Sequence, residues 1–534
     1  MGCIHELDGI NSAMIKNNRR NIITIVINLM FALLLLGSVF IVLPHQYDLS
    51  ETYRRFFTIT IGCLFIALFL FVGYVDDFDS ILKIVCFTGL IETLYALAQF
   101  FKLLPSYNRF YSYTGSFENP AVFAMLLAIC IPITVFFALR RKYTILWLIM
   151  AMYFFAFICF SESRASLLAA CTAVLILLLN DSKTRKILLN KWLLIVIIPV
   201  VLCMLFFIYR YKADSANGRL LIWRVSLNMF LEKPLFGFGA NGFLAHYMDY
   251  QSCYLYSHPY SPFQQLADNV NNPFNEYFQV LVNYGLFGFS CLLLILIVVI
   301  KRLLLQKSDY RIILLSMISV LLVISFFSYP FSMPFIWVIT GIILLFVFIP
   351  QIEQIRYMFR WPIAAICAII IIISIPRFRN EYKWKTIHQR SLNDNTEIMF
   401  EEFHNLYADM CRNGFFLYNY GAELHYSQQY EESLKIMKEC SVLLNDYDVQ
   451  MLLGDNCQHI GDTLSAISHY SKASYMVPSK YLPHYCNMKL FIEMGDSVQA
   501  VRTAKKILSM DVKVKPSRFV QQIIGEAQDV LKEM

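Results

Sequence analysis

The sequence predicts an all-α protein, in which a polytopic membrane domain of about eleven transmembrane helices, with twelve as the alternative, precedes an α-helical repeat domain. The first observation is composition: 58% of the 534 residues are hydrophobic and 16% are charged, against about 45–50% and about 25% in soluble domains. The second is a series of apolar runs long enough to cross a bilayer, between residues 22 and 376. The third is a repeated pattern in the more polar residues 377–534.

The apolar runs give the predicted spans, which follow a short N-terminal segment, residues 1–21. A helix needs roughly 20 apolar residues to cross about 30 Å of hydrocarbon. The predicted spans lie near residues 22–44, 57–74, 81–101, 121–139, 144–160, 165–180, 192–209, 277–300, 312–329, 334–350 and 361–376. Two closely spaced pairs, the fifth with the sixth and the ninth with the tenth, are where the count is most easily wrong.

Lysine and arginine predict the orientation, because cytoplasmic loops carry an excess of both. Basic residues cluster in alternate loops, for example at Arg140-Arg141-Lys142 and at Lys301-Arg302. We therefore place the N-terminus in the cytoplasm. Since the number of spans is odd, residues 377–534 are expected in the periplasm, on the outer face of a bacterial inner membrane. The net charge of +7 follows from these loops, so no nucleic-acid partner is expected.

One predicted outer loop, residues 210–276, is much longer than the others and is rich in Tyr, Phe, Trp and Pro. Long loops without regular structure are usually functional or disordered. The aromatic content argues against disorder, so this periplasmic loop is the first place to look for a site.

The tail, residues 377–534, contains three similar segments. The small residues at equivalent positions are Ser433, Ala466 and Ala500, which are 33 and 34 residues apart. This spacing resembles tetratricopeptide repeats, which are helix pairs with a period of about 34 residues, and a final helix near residues 516–533 would cap the stack. We expect a docking surface for a protein or glycan partner; a scaffold that only packs on the membrane domain is the alternative.

The 14 cysteines predict neither a disulfide framework nor a zinc site. Eight of them lie in apolar runs, and none forms a CxxC pair. Structural zinc sites need cysteine and histidine at close, regular spacing. We therefore expect no metal and no cofactor.

The long loop contains short motifs in a fixed order. They are Asn217-Gly218-Arg219-Leu220-Leu221-Ile222-Trp223-Arg224, then Pro234-Leu235-Phe236-Gly237-Phe238-Gly239, then Asn272-Pro273-Phe274-Asn275-Glu276, followed by Gly285 and Gly288. Two motifs precede the loop: Gly115-Ser116-Phe117-Glu118-Asn119-Pro120 and Ser163-Arg164-Ala165-Ser166. Taken together, these motifs resemble the O-antigen ligase and O-antigen polymerase superfamily of bacterial envelope glycan enzymes, over roughly residues 20–376.

The resemblance implies a reaction and a set of site residues. Such enzymes transfer a glycan from an undecaprenyl-diphosphate carrier to an acceptor hydroxyl. Arg164, Arg219 and Arg224 would lie at the outer membrane boundary and bind the diphosphate, because a guanidinium is a permanently charged fork of donors for phosphate oxygens. They would stabilise the charge that develops on the leaving group, in place of a metal. Anchoring of helix ends to lipid headgroups is the plain alternative.

The catalytic base is the point at which this sequence departs from the resemblance. Family members usually have a histidine immediately before the asparagine that corresponds to Asn275, whereas this chain has Phe274. Glu276 and His258 are the candidates to take a proton from the acceptor hydroxyl, and His246 is a weaker one. Helix capping by Glu276 and an exposed loop histidine are the plain alternatives. A largely dissociative reaction that needs little base, or a loss of activity, would also fit Phe274.

Two further features favour structural interpretations. Gly237, Gly239 and Gly242 fit G-x-G-x-x-G, but no strand or βαβ unit is predicted around them, so tight turning rather than a dinucleotide site is expected. Glu92 lies in the middle of the third predicted span, where a charged group is a functional hypothesis by default. A protonated or hydrogen-bonded glutamate that faces neighbouring helices is the favoured interpretation.

The leading functional prediction is a metal-independent, lipid-linked oligosaccharide transferase of the ligase type, with lipid A core as the first acceptor. Polymerisation of repeat units and transfer to protein Ser/Thr are alternatives with the same donor. The expected partners are the undecaprenyl-diphosphate-linked glycan, a glycan, lipid or protein acceptor, membrane lipids, and a protein partner on the tail.

Two other classes compete with an enzyme. A transporter is disfavoured, because the spans carry few charges and no matching halves are evident. A non-catalytic membrane scaffold that displays the repeat is the remaining alternative. The missing histidine favours it and the retained arginines oppose it.

Overall fold

The structure, a computed structural model, is built from helices. It describes residues 2–41, 47–72, 77–108, 110–140, 143–190, 213–392, 396–512 and 515–533. Helices make up 81% of the described residues, and no strand occurs among them. The all-α class predicted from composition and hydropathy is therefore confirmed.

The helices of the described residues are numbered in chain order. They are α1 (Gly2–Phe40), α2 (Tyr47–Val72), α3 (Phe78–Phe100), α4 (Pro120–Leu139), α5 (Thr144–Phe160), α6 (Arg164–Asn180), α7 (Ser182–Leu188), α8 (Ala213–Glu232), α9 (Gly242–Ser257), α10 (Glu276–Leu305), α11 (Arg311–Phe327), α12 (Pro334–Ser391), α13 (Thr396–Met410), α14 (Gly414–Tyr426), α15 (Tyr430–Leu443), α16 (Tyr447–Ile460), α17 (Thr463–Met476), α18 (Leu482–Glu493), α19 (Ser497–Leu508) and α20 (Arg518–Glu533). A short 3-10 turn, Pro330–Ser332, precedes α12.

The chain divides into two compact units, each made of segments that are distant in sequence. Unit 1 comprises Met1–Val201 and Leu294–Tyr382, and unit 2 comprises Leu202–Leu293 and Lys383–Met534. Unit 1 holds most of the apolar helices. Unit 2 joins the long loop to the tail, although four predicted spans separate the two in sequence.

The apolar helices make this a multi-pass membrane protein. Within the described ranges, six helices are long and apolar enough to cross a membrane, or seven if the bent pair α6 and α7 forms one span. Two shorter apolar helices, Thr144–Phe160 and Arg311–Phe327, also coincide with predicted spans. The predicted spans near residues 334–350 and 361–376 both lie in the single helix α12, so the structure does not separate them into two helices. The predicted span near residues 192–209 lies outside the described residues, and the count of eleven stays a prediction.

Helix α4 is the centre of unit 1. It packs against α3, α5, α6 and α11, and 89% of the residues in its most apolar stretch are buried. Pro120 occupies its first turn, where the missing N–H costs nothing, and the Asn119 side chain accepts a hydrogen bond from the Ala121 amide at 2.9 Å. Because nearly all of its apolar side chains are buried by neighbouring helices, α4 lies at the centre of this unit.

The tail consists of consecutive helix pairs: α14 packs on α15, α16 on α17 and α18 on α19, and α20 closes the series. The equivalent small residues Ser433, Ala466 and Ala500 are each 0% exposed. Ser433 Oγ donates to the Gly421 carbonyl at 2.7 Å within the first of these pairs. The spacing seen in the sequence therefore corresponds to positions where two helices approach closely.

His484, near the start of α18, gives a stability prediction. Burial lowers the pKa of this imidazole to about 4, so the unfolded chain binds a proton at a pH where the folded protein does not. The contribution of His484 to the free energy of unfolding should be complete above about pH 6.5 and should be lost as the pH drops toward 4. Thermal unfolding of the wild type and of His484→Gln, between about pH 7 and about pH 4.5, checks this. Part of the acid-dependent decrease should be missing from the variant, and identical pH profiles would contradict the prediction.

Candidate active site

A backbone pairing joins the glycine-rich segment of the long loop to the start of α10. The amides of residues 238–239 donate to the carbonyls of residues 282–283 at 2.9 and 2.8 Å, and the amides of residues 286–287 donate to the carbonyls of residues 234–235 at 2.7 and 3.1 Å. Helix α10 is interrupted at Gly285, where φ is 62° and ψ is −160°. The interruption leaves backbone groups of α10 available to this partner.

Gly237 of the motif and Gly285 of α10 are required by that pairing. Gly237 has φ 67°, and a Cβ on it would lie 2.5 Å from the carbonyl oxygen of Val282. A Cβ on Gly285 would overlap the carbonyl group of Leu235. Gly239 has φ 95° and open space around it, so its backbone conformation, rather than close approach, favours glycine there.

Asn283 is not among the predicted site residues. Its side chain is 3% exposed, accepts a hydrogen bond from the Phe243 amide at 3.0 Å and donates to the Ala240 carbonyl at 2.9 Å. It therefore joins α10 to the start of α9. The signal in the sequence is an amide inside an apolar run, because a buried polar side chain needs partners.

The first loop motif lies against the last one. Trp223 of α8 donates its indole N–H to the Pro273 carbonyl at 3.1 Å and stacks on Phe278 at 6.1 Å between ring centroids. Arg219, four residues earlier on the same face of α8, has its guanidinium carbon 5.6 Å from the centre of the Phe274 ring. The motifs that are about 50 residues apart in sequence thus meet in one place.

Three residues of the last motif have distinct positions. Phe274 has φ 49°, an uncommon conformation for a residue other than glycine. Asn275 is 2% exposed and caps α10, because its side-chain oxygen accepts the amides of Tyr277 and Phe278 at 2.9 and 3.1 Å. Glu276 follows in the first turn of α10 and is half-buried. We call Arg219, Phe274, Asn275 and Glu276 the Phe274 cluster.

A second group forms around Tyr254 on α9. The guanidinium carbon of Arg224 lies 5.3 Å from the Tyr254 ring centre, and the exposed imidazole of His258 stacks on the same ring at 4.5 Å. His258 Nδ1 is 2.8 Å from the Tyr254 carbonyl. A carbonyl only accepts, so Nδ1 carries the proton and Nε2 of a neutral imidazole can take one. We call Arg224, Tyr254 and His258 the Tyr254 cluster.

His246, the weaker base candidate, lies elsewhere on α9. Its half-buried ring packs on Phe238 with 5.2 Å between centroids. Burial lowers its pKa, so this imidazole is held neutral. Its contacts are with the glycine-rich segment rather than with either cluster.

Arg164 belongs to unit 1, where it is the first residue of α6. Its side chain is half-buried, and the hydroxyls of Ser163 and Ser166 are joined by a hydrogen bond of 2.9 Å beside it. The N-terminus of a helix favours anions. This position is therefore suited to a phosphate, as the resemblance implies.

Glu92 is fully buried in α3 and contacts the motif at residues 115–120. Its Oε1 accepts a hydrogen bond from the Ser116 amide at 2.6 Å. Arg54, which is 3% exposed and which the sequence analysis does not single out, donates to the Ser116 carbonyl at 2.5 Å. A Cβ on Gly115 would overlap the Glu92 carboxylate. These contacts support a structural role for Glu92 in holding the segment that leads into α4.

Within unit 2, the structure therefore brings Arg219, Asn275 and Glu276 together, and separately brings Arg224 to His258. In the part of the chain that the structure describes, no group of three or more His, Cys, Asp or Glu side chains could hold a metal ion.

These features define a class: a multi-pass helical membrane protein whose longest loop presents arginines, a carboxylate and a histidine around aromatic rings. Residues 149–293 match the family model described as O-antigen ligase, so the chain carries a domain of the O-antigen ligase superfamily. The match confirms the resemblance based on the motifs and contains every candidate site residue. No curated protein matches the sequence. The family indicates a membrane glycosyltransferase-like function.

Proposed function

We propose that the protein is a metal-independent glycosyltransferase of the O-antigen ligase type. It transfers a glycan from an undecaprenyl-diphosphate carrier to an acceptor hydroxyl on the outer face of the bacterial inner membrane, with lipid A core or a similar lipid as the leading acceptor. The observation that carries the proposal is that one helix, α8, holds Arg219 in the Phe274 cluster and Arg224 in the Tyr254 cluster.

Diphosphate binding is proposed from the chemistry of these arginines. Five residues along a helix correspond to a rise of about 7.5 Å and a rotation of about 140°, so Arg219 and Arg224 reach different sides of α8 and each cluster offers one guanidinium to a phosphate. Guanidinium groups make charge-assisted, often bidentate hydrogen bonds with phosphate, and they keep their charge at every physiological pH. Arg164, the first residue of α6 in unit 1, stays a predicted phosphate ligand.

The chemical step needs two changes at the anomeric carbon of the donor glycan. The acceptor oxygen forms a bond to this carbon, and the bond from the carbon to the diphosphate oxygen breaks. The electron pair of the broken bond stays on the diphosphate, where Arg219 and Arg224 stabilise the developing charge. The proton of the acceptor hydroxyl goes to a base, for which Glu276 and His258 are the candidates. Asn275 acts through its cap, which fixes Glu276.

The topology agrees with this assignment. The loop and the tail pack together in unit 2, so both must lie on one side of the membrane. We place this side in the periplasm, from the orientation that the basic loops predict.

The partner that the tail binds bears on the identity of the acceptor. Consecutive helix pairs with buried small residues support the tetratricopeptide interpretation of residues 377–534, and such arrays bind partners on extended surfaces. An acceptor protein bound there would favour protein O-glycosylation, whereas an assembly factor bound there would favour ligation or repeat-unit polymerisation. Phe274 in place of the family histidine favours one candidate of another class, a non-catalytic membrane scaffold that displays the repeat.

Gene deletion in a glycan-producing native host tests the proposal. The deletion strain should accumulate the lipid-linked precursor, and wild-type complementation should remove it. Arg219→Ala should fail to complement, because removing a phosphate ligand of the transition state costs about 10²–10³-fold in rate. Arg412→Ala, which alters an exposed arginine of the tail, is the matched control and should complement.

Two outcomes of this experiment decide the proposal. Unchanged envelope glycan with no precursor in the deletion strain would reject a transferase function. Full complementation by Arg219→Ala would reject the assigned site. If precursor accumulates, the lipid, polymer or protein that has lost its glycan identifies the acceptor.

A further inference from the structure

We propose that the tail is a positioning element of the transferase site: its α17 holds the loop helix α9, and through it the Tyr254 cluster, while the start of α16 holds the loop at Asn269. This inference rests on the proposed function for its activity readout. It assigns the tail a role inside the catalytic unit, in addition to any partner it binds. The contacts that carry it, which we call the loop–tail interface, are made by Asp249, Gln251 and Asn269 of the loop.

Gln251 is the centre of this interface. The side chain is 0% exposed, and both ends of its amide are used. Its Nε2 donates to the Met476 carbonyl of the tail at 2.7 Å and to the Asp268 carbonyl of the loop at 3.0 Å, while its Oε1 accepts from the Tyr247 hydroxyl at 2.8 Å. A buried amide without partners is costly, so α9 has its hydrogen bonds satisfied only when the tail is in place.

Met476 makes this contact specific. It is the last residue of α17, and the final carbonyls of a helix have no partner within the helix. The Gln251 amide therefore caps a tail helix from the loop. If the tail moved along α9, the Gln251 amide and the Met476 carbonyl would no longer meet. The contact therefore fixes the register between α9 and α17.

Two further polar contacts surround the buried amide. Lys472 Nζ of α17 pairs with Asp249 Oδ1 of α9 at 2.7 Å. Asn269 Nδ2 of the loop donates to the carboxylates of Asp446 and Asp448 at 3.2 and 3.3 Å, at the start of α16. The loop thus meets the end of one tail helix and the beginning of another.

The interface is continuous with the Tyr254 cluster. Gln251, Tyr254 and His258 are spaced by three and four residues, which places them along one side of α9 and its C-terminal end. Gln264 Nε2 donates to the Leu255 and His258 carbonyls at 3.0 and 3.2 Å and fixes that end further. A shift of α9 relative to the tail therefore displaces the ring on which Arg224 and His258 lie.

The first test replaces the buried amide by an isosteric carboxylate in the full-length protein. In Gln251→Glu, an oxygen that cannot donate would face the Met476 and Asp268 carbonyls. We expect the rate of glycan transfer to fall by about tenfold or more, with normal amounts of protein in the membrane. Hydrogen–deuterium exchange in α9 should become faster. The matched control is Asn456→Asp: Asn456 is also 0% exposed, but its partners Ser433 and His425 both lie in the tail. Transfer by this control should stay within about twofold of the wild type.

The second test exchanges the charges of the half-buried pair Asp249 and Lys472. Asp249→Lys and Lys472→Asp should each lower transfer by about two- to fivefold, and the double variant should recover most of it. The same exchange in Lys489 and Glu526, a pair within the tail at the same distance of 2.7 Å, should have no effect.

The two tests separate this inference from the proposed function. Suppose that Arg219→Ala abolishes glycan transfer. The positioning role is then rejected, and the transferase stands, if Gln251→Glu keeps its activity or if Gln251→Glu and Asn456→Asp lose the same share of activity. If Arg219→Ala retains full activity, the transferase assignment fails, and unchanged exchange in α9 of Gln251→Glu would then reject the loop–tail interface as well. A charge-exchanged double variant that is no better than its parents would also overturn the inference.

Discussion

Replacing Gly285 by alanine is expected to destroy the folded long loop and, with it, glycan transfer. Gly285 breaks α10 at φ 62° and ψ −160°, a region of backbone conformation that is essentially restricted to glycine. An added Cβ would also overlap the carbonyl group of Leu235, whose backbone pairs with α10. Conformational strain and backbone overlap together should cost about 3 kcal/mol or more. The amount of folded protein in detergent and the thermal unfolding of the loop, followed by Trp223 fluorescence, measure the effect.

Two other glycines provide matched controls for this prediction. Gly239 has φ 95° but nothing within 4 Å of an added Cβ, so Gly239→Ala should cost only the conformational strain, about 1–2 kcal/mol. Gly341, in the helical segment α12, has open space and no positive φ, and Gly341→Ala should be neutral or slightly stabilising. The expected order of stability is Gly341→Ala, then Gly239→Ala, then Gly285→Ala. Equal unfolding temperatures for the last two variants would show that the pairing with residues 234–235 is not essential.

The helical class was predictable because the physics of the bilayer acts on single segments. A run of apolar residues must satisfy its backbone hydrogen bonds internally, so hydropathy alone locates the helices. The number of spans is less accessible, because length near 17 residues, as in Thr144–Phe160, does not decide whether a helix crosses. The tail was likewise visible as a repeat of buried small positions such as Ala466.

The candidate site was only partly predictable, since its contacts join distant segments. Motif order identified Arg219 and residues 274–276, but not that the guanidinium lies on the ring that replaces the family histidine. The glycine motif predicted a tight turn. Its partner, the break of α10 at Gly285, was not predicted, because backbone pairing leaves no pattern in the side chains. Gln251 and Met476 are 225 residues apart, and no periodicity in either segment indicates the other.

Replacing Glu276 by glutamine is expected to lower glycan transfer by about 10²–10⁴-fold, the usual contribution of a general base. The plain alternative for this residue is the stabilising effect of an acid in the first turn of a helix, whereas the side-chain cap of α10 comes from Asn275. Glu276 is half-buried, two residues from Phe274, where the family carries its histidine. The glutamine variant keeps the shape of the side chain and removes its ability to take a proton. Turnover with the lipid-linked donor is the measurement, and His258→Ala is the comparison for the second candidate.

Restoring the family histidine in the same protein makes this assignment decisive. Phe274→His in the Glu276→Gln background should recover at least about a tenth of the wild-type rate. Histidine tolerates the positive φ at position 274 better than most residues, and the neighbouring Arg219 guanidinium favours its neutral form, which can accept a proton.

If Glu276→Gln keeps full activity and His258→Ala loses it, the base is His258. If neither substitution lowers turnover, the bond to the diphosphate breaks without base assistance, and the arginines alone account for catalysis. If the histidine fails to rescue an inactive Glu276→Gln, Glu276 acts at a position the family residue does not occupy. Phe274 would then mark a relocated base rather than a lost one.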